Sequence, residues 1–171
     1  MITRKVEKAL NGQVNKEMYS AYLYMAMSAY SDTIGLKGFA NWLMVQYHEE
    51  MLHAMKIYEY ITRQGGKVKL AAIAEPPVEY GTPLAMFKKV LEHEKFVTKS
   101  INDLVNLAVA QKDHATHIFL QWYVTEQVEE EANAMTVMQK IKMVQGSSAM
   151  IMLDNELAAR TYTPPAPNSE T

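Results

Sequence analysis

The chain has no cysteine among its 171 residues, which excludes a disulfide scaffold, thiolate chemistry and cysteine-ligated iron or zinc. It has no charge excess either. Seventeen Lys and Arg oppose 19 Asp and Glu, a formal net charge of −2, so bulk electrostatics argue against binding to nucleic acid or to an anionic membrane. No uninterrupted apolar run approaches the ~20 residues needed to cross a bilayer. The start, Met1-Ile2-Thr3-Arg4-Lys5, leads into an amphipathic pattern rather than an apolar segment, and no secretory signal is expected. A cytoplasmic protein fits these absences. Glycine and proline are scarce, 7 and 6 residues, and they cluster, which leaves long stretches free of helix breakers.

What is present is a hydrophobic fraction of 49%, enough at this length for the core of one domain. The 13 methionines read as flexible core filler rather than a soft-metal site. Gly35 and Gly38 lie at one break, residues 65–83 form a much longer one, Lys112-Asp113 a third and Gly146-Ser147-Ser148 a fourth. Between them the spacing predicts four helices near 4–32, 37–64, 83–111 and 114–145, and a shorter one near 148–160. Thr82 and Pro83 supply an N-cap and a first helical residue for the third helix, and Asp113 can cap the fourth. The domain is expected over 1–162, with an extended or disordered tail over 163–171.

Each long segment carries an apolar stripe at alternating steps of three and four, the pattern of a helix facing a bundle interior. The stripes are Val6, Leu10, Gln13, Glu17, Ser20, Tyr24 and Met27; Phe39, Leu43, Gln46, Glu50, His53, Ile57 and Tyr60; Phe87, Val90, Glu94, Val97, Ile101, Leu104 and Ala108; and Leu120, Tyr123, Gln127, Glu130, Ala134, Val137 and Ile141. Short links make the first and third helices antiparallel to their successors. The 65–82 connection, extended, reaches about 60 Å. That exceeds the ~42 Å of a helix of this length, so it can run the bundle's length and let the second and third helices lie parallel. The fold class is all-α: a four-helix bundle with one long crossover and a short fifth, C-terminal helix.

The stripes are interrupted at the same level. Glu17, Glu50, Glu94 and Glu130 fall near the midpoints of their helices, agreeing to about 5 Å along the axis. His53 lies one turn from Glu50, and Gln127 one turn from Glu130. Ionised carboxylates in a bundle core cost several kcal/mol each without compensation, and no Lys or Arg lies nearby on the stripes. A metal is the natural counter-charge, and four carboxylates are too much anion for one ion and about right for two divalent irons bridged by a carboxylate. Tyr24 either leans toward this site to bond a carboxylate or packs in the core with its hydroxyl satisfied elsewhere. Glu49, Glu126 and Glu129 flank the stripes and read either as a weaker third metal position or as part of a solvated charge run. His48, His93, His114 and His117 read as surface or interface residues, and Trp42 and Trp122 as core or subunit contacts.

Several stretches together resemble the prokaryotic non-haem ferritins: Glu17-Met18-Tyr19-Ser20-Ala21-Tyr22-Leu23-Tyr24, Gly35-Leu36-Lys37-Gly38-Phe39, Glu49-Glu50-Met51-Leu52-His53-Ala54, Glu92-His93-Glu94 and the run from Trp122 to Glu131. The resemblance implies one iron held by Glu17, Glu50 and His53, with Glu50 bridging to a second held by Glu94 and Glu130. Gln127 would lie beside the second iron, as a ligand or just outside the ligands, and Tyr24 would orient a carboxylate. Glu49, Glu126 and Glu129 match the family's third iron position. The resemblance also implies a homo-oligomeric shell of 24 subunits.

The implied activity is iron storage with ferroxidase chemistry. Fe(II) is oxidised at the paired site by dioxygen or peroxide, and an Fe(III) mineral is deposited inside the shell. Met51 stands where the haem-containing bacterioferritins carry their haem-ligating methionine. Those proteins resemble one another in a second Glu-x-x-His on the fourth helix, where this chain has Gln127 and Glu130, so haem is not expected. Di-iron peroxidases and oxygenases usually carry the same second motif. A DNA-protecting mini-ferritin would take its metal ligands from two subunits and often has a basic tail, which is lacking after Arg160. A purely structural assembly leaves the polar waist without a purpose.

Overall fold

A computed structural model describes residues 2–163 of the chain; the remainder of the expected tail, 164–171, lies outside the described residues. Among the described residues there are five helices and no strands: α1 (Arg4–Thr33), α2 (Lys37–Arg63), α3 (Pro83–Ala110), α4 (His114–Met143) and α5 (Ser147–Leu157). The four long helices end within two residues of their expected limits. The short one stops at Leu157 rather than 160. There the side-chain amide of Asn41 donates to the carbonyls of Ala158 (3.2 Å) and Arg160 (2.8 Å), which holds the departing chain against α2. No helix among the described residues is long and apolar enough to cross a membrane.

The helix starts follow from local chemistry. Thr3 Oγ1 accepts from the Val6 amide at 3.3 Å, Thr82 Oγ1 from Ala85 at 3.2 Å, and Asp113 Oδ1 from Thr116 at 3.0 Å, each satisfying an orphan donor of a first turn. The start of α2 has no such residue, because Leu36 sits at its cap. Its cap comes from α5. Asp154 Oδ1 accepts from the amides of Gly38 (2.8 Å) and Phe39 (3.0 Å). Gly38 is what permits that approach, since a Cβ there would overlap the Asp154 carbonyl oxygen.

The crossover follows α1 from end to end. Glu7 Oε2 accepts from the Lys67 amide (3.1 Å), Asn11 Oδ1 from Lys69 (2.6 Å), Asn15 donates to the Ala72 carbonyl (3.1 Å), and Tyr30 to that of Gly81 (2.9 Å). Side chains of α1 thus satisfy backbone groups that no secondary structure serves. The connection ends beside the last turn of α1, so α3 starts where α2 started and runs parallel to it.

Every residue of the four stripes is buried. The apolar core is nonetheless divided in two. One cluster includes Met27, Phe39, Trp42, Phe87, Val90 and Val137 at one end of the bundle, and the other includes Val6, Leu10, Ile57, Ile61, Ile101 and Leu120 at the other. The buried polar stripe residues fill the level between them. Methionine is only partly core filler: Met27 and Met86 are fully buried, but Met143 and Met152 are about three-quarters exposed.

Docking of α5 through Gly38 and Asp154 is testable by hydrogen exchange. Asp154→Ala should cost about 1 kcal/mol through the lost cap, and Gly38→Ala should speed exchange across 147–157 well beyond any change in α3. Unchanged protection of α5 in Gly38→Ala would contradict this account.

Candidate metal centre

The polar level takes one carboxylate from α1 (Glu17), a carboxylate and an imidazole from α2 (Glu50, His53), a carboxylate from α3 (Glu94), and an amide and a carboxylate from α4 (Gln127, Glu130). None is more than 4% exposed. Glu17, Glu50 and His53 each present a ligand atom within 4.8 Å of the others, and His53, Glu126 and Glu130 do the same. His53 joins the two groups: its Nδ1 lies 3.5 Å from Glu50 Oε2, and its Nε2 lies 3.9 Å from Glu126 Oε1. The imidazole is held in place from α4, where Tyr123 donates to the His53 carbonyl at 2.8 Å and Trp122 meets the ring edge-on at 5.4 Å.

A second set of side chains restrains the carboxylates. Gln13 donates to Glu17 Oε1 at 2.9 Å, Gln46 to Glu130 Oε2 at 2.8 Å, and Gln127 to Glu94 Oε2 at 3.2 Å. The Tyr24 hydroxyl donates to Glu94 Oε1. Tyr24 therefore leans toward the polar level, as the first of its two expected placements has it. The Gln13 amide is itself oriented, because Ser100 donates to its Oε1 at 2.6 Å and Lys16 donates to Ser100 Oγ. Every proton in that chain points toward Glu17.

These donors leave a defined remainder. Glu17 Oε2, Gln46 Oε1 and both oxygens of Glu50 are buried without a hydrogen-bond partner. An unsatisfied buried carboxylate oxygen costs on the order of several kcal/mol, so three such atoms facing one level point to a cation. The donor set of carboxylates with one imidazole suits a divalent iron-like ion better than a soft metal.

Electrostatics point the same way. Burial, then the charges of Glu94, Glu17 and Glu130, push the Glu50 carboxyl well above the usual range. Burial and then Glu130 raise Glu94 to about 8, against the opposing bonds from Tyr24 and Gln127. Glu130 is also raised, chiefly by burial, with the Gln46 bond and His53 opposing. The Tyr24 hydroxyl is pushed well up by burial and then by Glu94, so it remains a donor.

The flanking residues fall differently from one another. Glu126 reaches His53, but Glu49 Oε2 is paired with Arg160 Nη2 at 2.7 Å. Glu129 is exposed and belongs to neither close group. His93, read as a surface or interface residue, is half-buried, with Nε2 2.8 Å from Ser20 Oγ, and burial pulls its pKa down to about 4. Trp42 packs on Phe87 at 5.1 Å, as expected of a core residue. Gln13 and Gln46 went unremarked as site residues. Both stand on the written stripes four residues before Glu17 and Glu50, which is the sequence signal for them. Ser100, Lys16 and Arg160 carry no such signal.

The ferritin-like domain family matches residues 7–144. The chain is similar to the bacterial non-heme ferritin of Bacteroides fragilis, 43% identical over 94% of this chain and 100% of that one. To the bacterial non-heme ferritin of Staphylococcus aureus it is 37% identical, over 95% and 98%. Among solved structures it is similar to an engineered closed form of the Archaeoglobus fulgidus ferritin, with a TM-score of 0.94 and 51% identity over 95% of this chain and 100% of that one. An open-pore ferritin from the same archaeon gives 0.92 and 51%, over 94% and 100%.

The raised carboxyls carry a pH dependence. A group whose pKa is higher in the folded state binds more protons there, so stability falls as pH rises from the unfolded value toward the folded one. For Glu94 that window runs from about 4.3 to about 8. The metal-free protein should therefore melt at a lower temperature at pH 8 than at pH 6, and Zn²⁺ should remove most of the difference. A metal-free melting temperature that rises over this interval would contradict the assignment.

Proposed function

The chain belongs to the ferritin family as a non-haem ferritin of the prokaryotic type, and from that premise we propose that its buried waist oxidises Fe(II) to Fe(III) for storage. The protein is an iron-storage protein, and iron is both its substrate and its cargo. The observation that carries the reading is Glu50, buried with neither carboxylate oxygen hydrogen-bonded. Glu17 and His53 lie beside it, and Glu94 and Glu130 are close enough to raise its pKa. A carboxylate so placed has one oxygen for each of two ions.

In this reading Glu17, Glu50 and His53 hold one Fe(II), and Glu50, Glu94 and Glu130 the other. The four carboxylates stabilise the trivalent product more than the divalent substrate, which lowers the cost of oxidation. Each iron gives up one electron, and dioxygen takes both with two protons to form hydrogen peroxide; peroxide is the alternative oxidant. Gln13 fixes one oxygen of Glu17 and leaves the other for metal. Tyr24 and Gln127 orient Glu94 by bonding one oxygen each, and Gln46 bonds one oxygen of Glu130. Glu126, with Glu49 from α2 and Glu129 one turn along α4, forms a weaker third position through which oxidised iron leaves the pair.

The storage compartment is a homo-oligomeric shell, which we infer to have the family's 24 subunits and to lie in the cytoplasm. Exposed apolar side chains supply surface for self-association: Leu70 and Val78 on the crossover, Ile118 and Val128 on α4, each more than 60% exposed. Neither nucleic acid nor membrane has a part in this function.

Stopped-flow oxidation of Fe(II) tests the site. Glu50→Ala and His53→Ala should slow the initial rate by at least about 10–100-fold, the range for losing only a group that orients a metal ligand, with helicity and particle size retained. Unchanged initial rates in both variants would remove the paired site from the mechanism.

A further inference from the structure

Arg160 lies beyond the last turn of α5, outside all four stripes, yet its side chain returns to the acidic flank of the metal centre. Four contacts to α2 hold it there. Nη2 donates to Glu49 Oε2 at 2.7 Å and Nη1 to the Trp42 carbonyl at 3.4 Å. The guanidinium stacks over the Trp42 ring at 4.4 Å, and its own carbonyl accepts from Asn41 at 2.8 Å. Both members of the Glu49 pair are about one-quarter exposed. An exposed ion pair of two free side chains would hold neither in place, whereas a guanidinium that is stacked, bonded and tied through its backbone is fixed. Its charge acts on Glu130 as well as on Glu49.

We propose that Arg160 is a resident counter-ion of the third iron position, competing with a metal ion for the Glu49 carboxylate and so setting how readily iron passes from the paired site to the storage cavity. This rests on reading Glu49 and Glu126 as part of that position. Glu126 reaches the centre through His53 without an arginine on it, so the third ion lacks one carboxylate rather than all of them. It must displace the guanidinium to gain Glu49. The position is thus weak while the segment after α5 is docked and strengthens when that segment is released. Occupancy becomes a property of the C-terminal segment rather than of the bundle.

Calorimetric titration of the metal-free assembled protein with Zn²⁺, which is redox-inert, separates the binding events. Arg160→Gln should leave two tight events per chain and tighten a third by about tenfold or more. Arg160→Lys should restore weak third binding, and the gain should vanish in Arg160→Gln/Glu49→Gln. A third event that is unchanged or weaker in Arg160→Gln, with particle size intact, would overturn the proposal and reduce Arg160 to an anchor. Two tight events with no third in any variant would also overturn it, while leaving the paired site standing. Absence of the two tight events from the unsubstituted protein would strike the paired site itself, and the proposal with it.

Discussion

Four carboxylates are held at one level of a closed helical bundle, with no lysine or arginine on the same stripes. That concentration of buried negative charge is the constraint to which the rest of the fold answers. Protonation can relieve part of it, and burial raises Glu50, Glu94 and Glu130 accordingly. Both oxygens of Glu50 are without a hydrogen-bond partner all the same. A pair of cations would answer the charge and the missing hydrogen-bond partners together, so the level that is costly to bury is also the chemically useful one.

The surrounding structure is arranged to keep that level intact. Apolar clusters at either end of the bundle supply the stability that the waist does not. The long crossover is fastened to α1 by Glu7, Asn11, Asn15 and Tyr30, which delivers α3 parallel to α2 with Glu94 at the height of Glu50. Gln13 and Gln46 take one oxygen each of Glu17 and Glu130, while Tyr24 and Gln127 share Glu94, one oxygen each. Such restraint fixes which atoms face the metal before it arrives, so little is lost in ordering the ligands when it binds.

Much of this was legible in the sequence because helical periodicity is a local property. The stripes, the polar waist and the caps at Thr82 and Asp113 depend on residues within a turn or two of one another. What periodicity could not give is contact between distant segments. Asp154 caps α2 across 116 positions, and Leu36 gives no hint that its helix borrows a cap. Arg160 reaches Glu49 across 111 positions, from a stretch with no stripe to place it. Gln13 and Gln46 were visible as polar stripe residues, but the direction of their amides depends on Ser100 and Glu130, on other helices. The contact of His93 with Ser20 was not legible either, because Ser20 belongs to α1 and no feature of α3 shows that the two meet.

The central claim is that the waist binds two irons between four helices. Diffraction from crystals loaded with Fe(II) without oxygen, using anomalous scattering at the iron edge, tests it most directly. The account predicts two peaks per chain with Glu50 between them, one beside Glu17 and His53 and the other beside Glu94 and Glu130. A waist without iron, or iron bound only on the exposed acidic flank, would contradict it.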